Sequence, residues 1–223
     1  MSFTVLLGAV EQGFIYSLVA LGLFLSYRTL DVADLTTDGS FTLGAACSAV
    51  LTIQGQPVAG LLLALAAGAL AGLVTALLQT RLGGQPILAG IVTMTGLYTV
   101  NLMVMGGRSN LNMLREQNVF TAAEAALGPM GKLLLAGMVA VVAAVLLALF
   151  LRTRLGLSIR ATGDNREMVA SSSIDPALTT TVGLCAANGL VALSGGLLVQ
   201  YQKFSDISLG TGMVVIGLAS LII

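Results

Sequence analysis

Acidic and hydroxyl side chains beside an apolar run are the residues of this sequence whose types and spacing suggest a chemical role. Asp34 and Asp38 are four positions apart, so a helix would place both carboxylates on one face. Three hydroxyl residues, Thr36, Thr37 and Ser40, accompany them. A carboxylate at membrane depth is costly and usually faces a protein interior or a water-filled cavity. The segment therefore predicts a polar site whose surroundings decide its role.

Two interpretations of this segment remain open. In the first, its five polar residues form part of a solute pathway or gate, together with Asp206 and Ser208 later in the chain. In the second, Asp38 or Ser40 caps a helix N-terminus at the cytoplasmic interface, and Asp31 and Asp34 are solvated. The residue types fit both interpretations equally.

The overall composition indicates which elements must hold these residues. Hydrophobic residues make up 57% of the chain and charged residues 9%, with a mean hydropathy of +0.98. Soluble domains carry about 25% charged residues. In hydrocarbon, backbone groups must bond within their own segment, and the apolar stretches here are continuous rather than alternating. We therefore predict an all-α polytopic membrane protein, folded as a helical bundle.

Five apolar runs are long enough to span a bilayer. They cover residues 4–27, 58–79, 87–105, 132–151 and 177–199. A sixth run, 41–53, is too short to cross alone at 1.5 Å per residue. A second spanning helix must therefore borrow from residues 31–40, which predicts a broken or partly unwound helix.

An internal repeat relates the two ends of the chain at an offset of 172 positions. Residues 18–21 match residues 190–193, and Asp34-Leu35-Thr36 matches Asp206-Ile207-Ser208. In both copies an apolar span leads into an acidic, hydroxyl-bearing break. Counting spans makes the first copy run inward and the second outward, as inverted repeats require. Paired interrupted helices of this kind are typical of a transporter's substrate path.

The distribution of basic residues predicts the orientation. Four arginines fall in the loop 152–176: Arg152, Arg154, Arg160 and Arg166. Basic residues in short loops stay cytoplasmic, so this loop, Arg28 and Arg81 are placed inside. Against this, Arg108, Arg115 and Lys132 fall on the outer side.

Several kinds of chemistry are disfavoured, and we predict no catalytic, metal-binding or cofactor-binding residue. The chain has no histidine, which removes histidine-ligated metals and Ser-His pairs, so Ser194 has no base for an intramembrane hydrolase. No phosphate-binding loop occurs, so any ATP must be bound by a partner. The net charge is zero, which gives no reason to expect a nucleic-acid partner.

The remaining polar residues of the spans have simpler interpretations. Glu11 is predicted to mark the outer water interface, and Asn101, Asn188 and Gln200 are predicted to bond one helix to another. The two cysteines, which also fall in apolar runs, are predicted to be packing residues.

The segment 160–170 carries the most specific motif, Arg-Ala-Thr-Gly-Asp-Asn-Arg-Glu-Met-Val-Ala. It resembles the coupling segment of importer permeases of the branched-chain amino acid and ribose type, in which a short helix docks on an ATP-binding subunit. Gly163 would permit a tight turn, Asp164 or Asn165 would cap the helix, and Glu167 would suit its dipole. The resemblance implies coupling roles for Arg160, Gly163, Asp164, Asn165, Arg166, Glu167 and Met168. The alternative is an ordinary solvated loop with cytoplasmic arginines.

Segments 34–45 and 192–202 extend the resemblance over essentially the whole chain. Together the three segments are similar to the tryptophan/tyrosine transport system permease group within that family. The chain departs from the family where Ser-Ser-Ser-Ile-Asp at 171–175 replaces a more apolar run with glycine, which puts the shape of the dock in doubt. It also lacks the family's final spans, so we expect the natural protein to continue beyond Ile223.

The resemblance implies a single permease domain over 1–223, with 152–176 as its cytoplasmic coupling loop. It implies a bacterial inner-membrane importer subunit for a small solute, with an amino acid as the first candidate, that works by alternating access. The expected partners are a second permease copy in a homodimer, a cytoplasmic subunit that binds and hydrolyses ATP, an extracytoplasmic solute-binding protein and membrane lipid. An ion- or proton-coupled secondary transporter fits the repeat and the acidic pair equally well, but it leaves the arginine-rich segment unexplained.

Overall fold

Helices make up most of the computed structural model, which describes residues 3–222. The ten α-helices are α1 (Phe3–Leu23), α2 (Thr36–Ile53), α3 (Pro57–Thr80), α4 (Pro86–Val104), α5 (Val119–Leu127), α6 (Gly131–Arg152), α7 (Arg154–Asp164), α8 (Arg166–Ser171), α9 (Pro176–Gln202) and α10 (Met213–Ile222). A π-helical turn (Phe24–Thr29) extends α1, and a 3₁₀ turn (Gly128–Met130) precedes α6. Strands β1 (Asn110–Asn112) and β2 (Phe204–Asp206) pair antiparallel.

The predicted helical membrane bundle is confirmed. Among the described residues, five helices are long and apolar enough to cross a bilayer. They are Val5–Thr29, Pro57–Thr80, Pro86–Val104, Gly131–Arg152 and Pro176–Gln202. Each of these helices coincides with one of the five predicted apolar runs.

Helix α9 is the centre of the bundle. In its most apolar stretch 72% of the residues are buried, against 22–33% in the other four spans. Glycines let its neighbours approach closely: Gly22, Gly44 and Gly68 each lie so near the α9 backbone that a Cβ would collide with it. Small residues at such contacts are typical of helices packed within a membrane.

Two helices of the bundle begin inside it rather than at its ends. Residues 30–35 are not helical, and α2 begins at Thr36. The Ser40 hydroxyl donates to Asn188, near the middle of α9, so α2 begins close to mid-depth. The predicted break before the second helix is therefore confirmed. Helix α10 begins at the same depth, because the Gly212 N–H beside it donates to Asp38.

The contacts of the two halves follow the predicted inverted repeat. Helix α1 runs antiparallel to α9, since Glu11 contacts Tyr201 whereas Gly22 contacts Ala187. If 172 is added to the number of the first residue in a contact and subtracted from that of the second, the resulting pair is also in contact. The contact between Gly22 and Ala187 corresponds to the one between Ser194 and Ile15.

A second exchanged pair lies at the meeting point of the halves. The Val214 N–H donates to the Asp38 carboxylate, and the Gly210 N–H donates to the Thr42 hydroxyl oxygen. The 172-residue offset relates Asp38 to Gly210 and Val214 to Thr42, so the two contacts are equivalent in the repeat. A pseudo-two-fold axis therefore passes between α2 and the start of α10.

Basic residues divide between the two ends of the bundle. Gly163 packs on the Thr29 carbonyl, which brings the arginine-rich loop beside Arg28. One end, which we term the inner end, holds Arg28, Arg81, Arg152, Arg154, Arg160 and Arg166. The other end holds Arg108, Arg115, Lys132 and Lys203. The excess at the inner end fits a cytoplasmic location.

Candidate functional site

A hydrogen-bonded group of polar side chains lies at mid-depth, where α2, α3 and α9 meet. We term it the central polar cluster: Asp34, Thr36, Ser40, Thr75 and Asn188. The Asp34 carboxylate accepts from the Thr36 N–H at 2.9 Å and from the Asn188 amide at 2.6 Å. Asn188 in turn accepts from the Ser40 hydroxyl at 2.7 Å, and Thr36 shares a hydrogen bond of 2.7 Å with Thr75. All five side chains are buried, so the cluster is satisfied by protein groups alone.

Asp38 lies beside this cluster and caps a different helix. Its two carboxylate oxygens accept from the N–H groups of Gly212 and Val214, each at 2.9 Å. Asp38 also occupies the first turn of α2. Its negative charge therefore lies at the N-terminal ends of both α2 and α10, where each helix dipole stabilises it.

The structure corrects part of the helix-cap interpretation. Asp34 is 1% exposed and is not solvated. Asp38 does cap a helix, but that helix is α10 rather than its own, and the cap lies at mid-depth rather than at the cytoplasmic interface. Asp31 is exposed, as this interpretation expected. Asp34 is buried because it bonds Asn188 of α9. Asp38 caps α10 because Gly212 and Val214 approach α2. These partners are distant in the sequence, which does not show either contact. Whether these carboxylates line a solute pathway stays a prediction.

The predicted site residues do not all come together. Thr37 adjoins the central polar cluster through its hydroxyl, which donates to the Asp34 carbonyl. Asp206 ends β2, and Ser208 follows it towards the outer surface, where Ser208 is exposed. The hydroxyl and the N–H of Ser208 both donate to the Asp206 carboxylate, and they hold its pKa below the ordinary value although partial burial opposes them.

The same local motif nevertheless recurs in both copies of the repeat. In the first copy the Thr36 N–H donates to the Asp34 side chain at 2.9 Å, and in the second the Ser208 N–H donates to Asp206 at 2.8 Å. An aspartate that bonds the N–H two residues later forms a local turn. The repeat therefore conserves the turn, while only the first copy carries it into the core.

Side-chain amides connect the outer half of the bundle, as the sequence predicted. The Gln200 amide donates to the Ser48 hydroxyl at 3.0 Å and to the Pro57 carbonyl at 2.9 Å. Its oxygen accepts from the Val119 N–H, which starts α5. The interhelical role predicted for Gln200 is thus seen directly, and Asn188 has the same role.

The interpretation of Glu11 was wrong. Glu11 is 4% exposed, and its carboxylate accepts from the Tyr201 hydroxyl at 2.8 Å. The Tyr201 ring packs edge-on against Phe120, with centroids 5.6 Å apart. Glu11 lies about two turns from the start of α1. Its position in the sequence suggests a membrane interface, because the sequence does not show that the distant Tyr201 buries it.

Helices α7 and α8 form a second candidate site at the inner end. We term residues 154–171 the inner protrusion. Asn165 separates its two helices and caps the second, because its side chain accepts from the Met168 N–H at 3.0 Å. Most predicted coupling residues are exposed: Arg160, Asp164, Asn165, Arg166, Glu167 and Met168. Glu167 lies in the first turn of α8, where the helix dipole favours its charge.

The structure confirms one detail of the predicted coupling segment and corrects another. Asn165 caps the short helix α8 as predicted, whereas residues 160–164 belong to the end of a separate helix, α7. Gly163 makes no tight turn, because it lies inside α7 with helical backbone. Glycine is needed at this position for a different reason, because a Cβ there would collide with the Thr29 carbonyl oxygen.

The inner protrusion is firmly joined to the bundle. Ile159 is fully buried in an apolar cluster that includes Leu30 and Leu184. Thr162 and Thr179 share a hydrogen bond of 2.8 Å. These contacts place α7 against the residues just before the break at 30–35 and against the inner end of α9. A displacement of α7 would therefore act directly on the break that leads to the central polar cluster.

Ser194 and the cysteines behave as packing residues. The Ser194 hydroxyl is fully buried and donates to the Ile15 carbonyl at 2.7 Å, so it is engaged in helix contact. Cys47 and Cys185 are both free thiols, and Cys47 is buried.

Comparison with known proteins identifies relatives along the whole chain. Residues 5–223 match the family model of the branched-chain amino acid transport system permease component. The chain is 37% identical over 219 residues to the tyrosine transport system permease protein of Clostridioides difficile, covering 98% of this chain and 72% of the relative. It is 32% identical over 219 residues to an uncharacterized protein of Rickettsia prowazekii, covering 98% of this chain and 76% of that protein. No solved structure is significantly similar.

Proposed function

Because the chain belongs to the family of branched-chain amino acid transport system permease components, we propose that it is the membrane-spanning subunit of an ATP-driven amino acid importer. It is a multi-pass protein of the bacterial inner membrane. In the proposed assembly two copies form a homodimer, a cytoplasmic subunit binds and hydrolyses ATP, and an extracytoplasmic protein delivers the solute. The name of the Clostridioides difficile relative makes tyrosine the first solute to test.

The inner protrusion is the observation that carries this proposal. Its tip displays charged groups and Met168, which is 66% exposed, at the end with most of the basic residues. Its base contacts Thr29 and Leu30 before the break. A short helix with a few exposed anchors suits a groove on another protein. ATP hydrolysis in a docked subunit would move α7, and α7 would move the break.

Alternating access would use the two helices that begin at mid-depth. Helices α2 and α10 meet at Asp38, beside the pseudo-two-fold axis, and from there they run towards opposite faces of the membrane. Interrupted helices at the repeat interface are where substrate sites of many transporters lie. In this proposal Asp34, Thr36, Thr37, Asp38 and Ser40 form the moving centre of the pathway, and Asp206 and Ser208 lie towards its outer mouth.

Substitutions at the tip of the protrusion test the coupling role. Glu167→Arg places a like charge beside Arg166, and Met168→Glu removes an apolar anchor, yet neither side chain is buried. Each variant, reconstituted with its operon partners, should insert normally and lose most tyrosine-stimulated ATP hydrolysis. Gln117→Arg, an exposed change at the opposite end, is the matched control. Full stimulated hydrolysis in both protrusion variants would remove the coupling role.

A secondary transporter is the second candidate, because the buried Asp34 at mid-depth is a suitable ion-responsive group. Vesicles that contain this chain without an ATP-binding subunit distinguish the two candidates. The importer proposal expects no tyrosine uptake when an ion or proton gradient is imposed. Uptake driven by such a gradient alone would favour the secondary transporter.

A further inference from the structure

An apolar groove runs along the side of the bundle between α3, α6 and α9. Its volume is about 720 Å³, and its lining is almost wholly apolar. On α9 it extends from Val182 to Leu193, past Gly189 at its floor. That stretch of helix is about 16 Å long at 1.5 Å per residue. In a bilayer whose hydrocarbon core is about 30 Å thick, the groove therefore begins in the inner half and ends just past the mid-depth position of Asn188.

A polar cavity continues the groove at the inner end. It has a volume of about 350 Å³ and shares Val182 with the groove. Its polar lining residues are Thr80, Arg81, Asp175 and Thr181. Within residues 3–222, Arg81 and Asp175 form no ion pair with each other, so both charges remain open to a ligand.

The hydrogen-bond state of the lining residues restricts what the cavity would bind. The hydroxyls of Thr80 and Thr181 both donate to carbonyls of their own helices at 2.7 Å, which leaves their oxygens as acceptors. One Asp175 oxygen accepts from the Ala177 N–H, and the other has no hydrogen-bond partner among residues 3–222. The cavity thus offers a guanidinium that donates, together with a carboxylate and hydroxyl oxygens that accept.

We propose that a phosphatidylethanolamine of the inner leaflet binds here, with an acyl chain in the groove and its head group in the polar cavity. Arg81 would pair with the lipid phosphate. The ammonium group carries three N–H donors, which Asp175 and Thr181 would accept. Phosphatidylglycerol supplies no ammonium, and the quaternary ammonium of phosphatidylcholine has no N–H to donate. The acyl chain would pack along the groove between α3, α6 and α9 that the described residues form.

Thermal unfolding of the full chain in detergent, with each lipid added in turn, tests the assignment. The probes are dioleoyl forms of phosphatidylethanolamine, phosphatidylglycerol and phosphatidylcholine. Phosphatidylethanolamine should raise the midpoint the most and should also co-purify with the protein in mass spectra of the intact complex. Equal shifts with the three lipids, or a larger shift with phosphatidylglycerol, would overturn the proposal.

Variants locate the effect on the molecule. Arg81→Gln and Asp175→Asn should each abolish the selective shift, and the asparagine retains an oxygen to cap α9. Ala186→Phe, which fills the groove, should abolish the shift through the acyl chain instead. Arg152→Gln, an exposed inner-end arginine outside both cavities, should retain it. A selective shift that survives the first three changes would overturn the site. The assay needs no ATP-binding subunit, so its outcome is independent of the transport proposal.

Discussion

The central polar cluster and the inner protrusion present polar groups in opposite ways. Asp34 and Asn188 are each 1% exposed, and their hydrogen-bonding groups are matched within the chain. Glu167 and Met168 are exposed, and their side chains extend away from the bundle. Buried polar groups that are satisfied internally fix one structure. Exposed groups on a firmly seated helix are available to another molecule, so the contrast separates residues that hold the fold from residues that transmit force.

The largest effect expected from this contrast is at Asn188. Asn188→Leu leaves the buried Asp34 carboxylate and the Ser40 hydroxyl without their partner. We expect a loss of about 3 kcal/mol in unfolding free energy, since buried charged acceptors are costly to strand. Thermal unfolding in detergent measures it. Asn101→Leu is the control and should cost less, because that amide oxygen has no partner and its nitrogen makes a longer bond of 3.3 Å. Equal losses of unfolding free energy in Asn188→Leu and Asn101→Leu would mean that the central polar cluster stabilises the fold no more than an ordinary interhelical hydrogen bond does.

A smaller effect is expected at the cap of α10. Asp38→Ala removes the acceptor for two N–H groups and should cost about 2 kcal/mol, the upper range for a lost cap. Asp38→Asn keeps one oxygen and should cost about half as much. Unfolding and tyrosine uptake should be measured on the same preparations. Unchanged stability in Asp38→Ala would mean that this carboxylate does not hold α10, whereas impaired uptake in Asp38→Asn beyond its loss of stability would support the pathway role proposed above.

The contact between Gly163 and Thr29, which joins the inner protrusion to the bundle, should be sensitive to one added methyl group. Gly163→Ala forces α7 away from Thr29 and should cost about 1 kcal/mol, as overpacking does. Because the same contact transmits force, stimulated ATP hydrolysis should fall as well. The matched control is Gly96→Ala in α4, where nothing lies within 4 Å of a new Cβ. If Gly163→Ala has the same unfolding free energy and the same stimulated ATP hydrolysis as this control, the contact between Gly163 and Thr29 does not transmit force.

The smallest stability effect is expected at the tip of the protrusion. Glu167→Arg and Met168→Glu alter exposed side chains, and such changes usually shift unfolding free energy by less than about 0.5 kcal/mol. Thermal unfolding in detergent should therefore be nearly unchanged, although coupling is lost. A loss of 2 kcal/mol or more would mean that the tip stabilises the fold, and the contrast with the centre would fail.

Much of the fold could be predicted because a bilayer restricts the options. Continuous apolar runs gave the five spans, and the shortness of residues 41–53 gave the break before α2. The repeat could be recognised at an offset of 172 because equivalent turns in its two copies contain the same residue type, as Asp34 and Asp206 do. These features depend on local sequence, which is why they could be predicted.

Less of the candidate site could be predicted, because its contacts join distant residues. The burial of Glu11 depends on Tyr201, and the role of Asp38 depends on Gly212 and Val214. Gly163 fits a turn in sequence, whereas its neighbour Thr29 explains its size. Tertiary packing brings these partners together, and the hydrophobic periodicity of the sequence does not reveal them.

Cross-linking at Met168 tests the central claim most directly. Met168→Cys, in a Cys47→Ala and Cys185→Ala background, would carry a short reagent at the tip of the protrusion, with one thiol-reactive arm and one photoactivated arm that needs no cysteine on the partner. With its operon partners in membranes, this variant should cross-link to the ATP-binding subunit, and ATP should change the yield. Leu70→Cys, a lipid-facing control on α3, should not cross-link. A transport-competent complex in which Met168→Cys gives no such product would contradict the account.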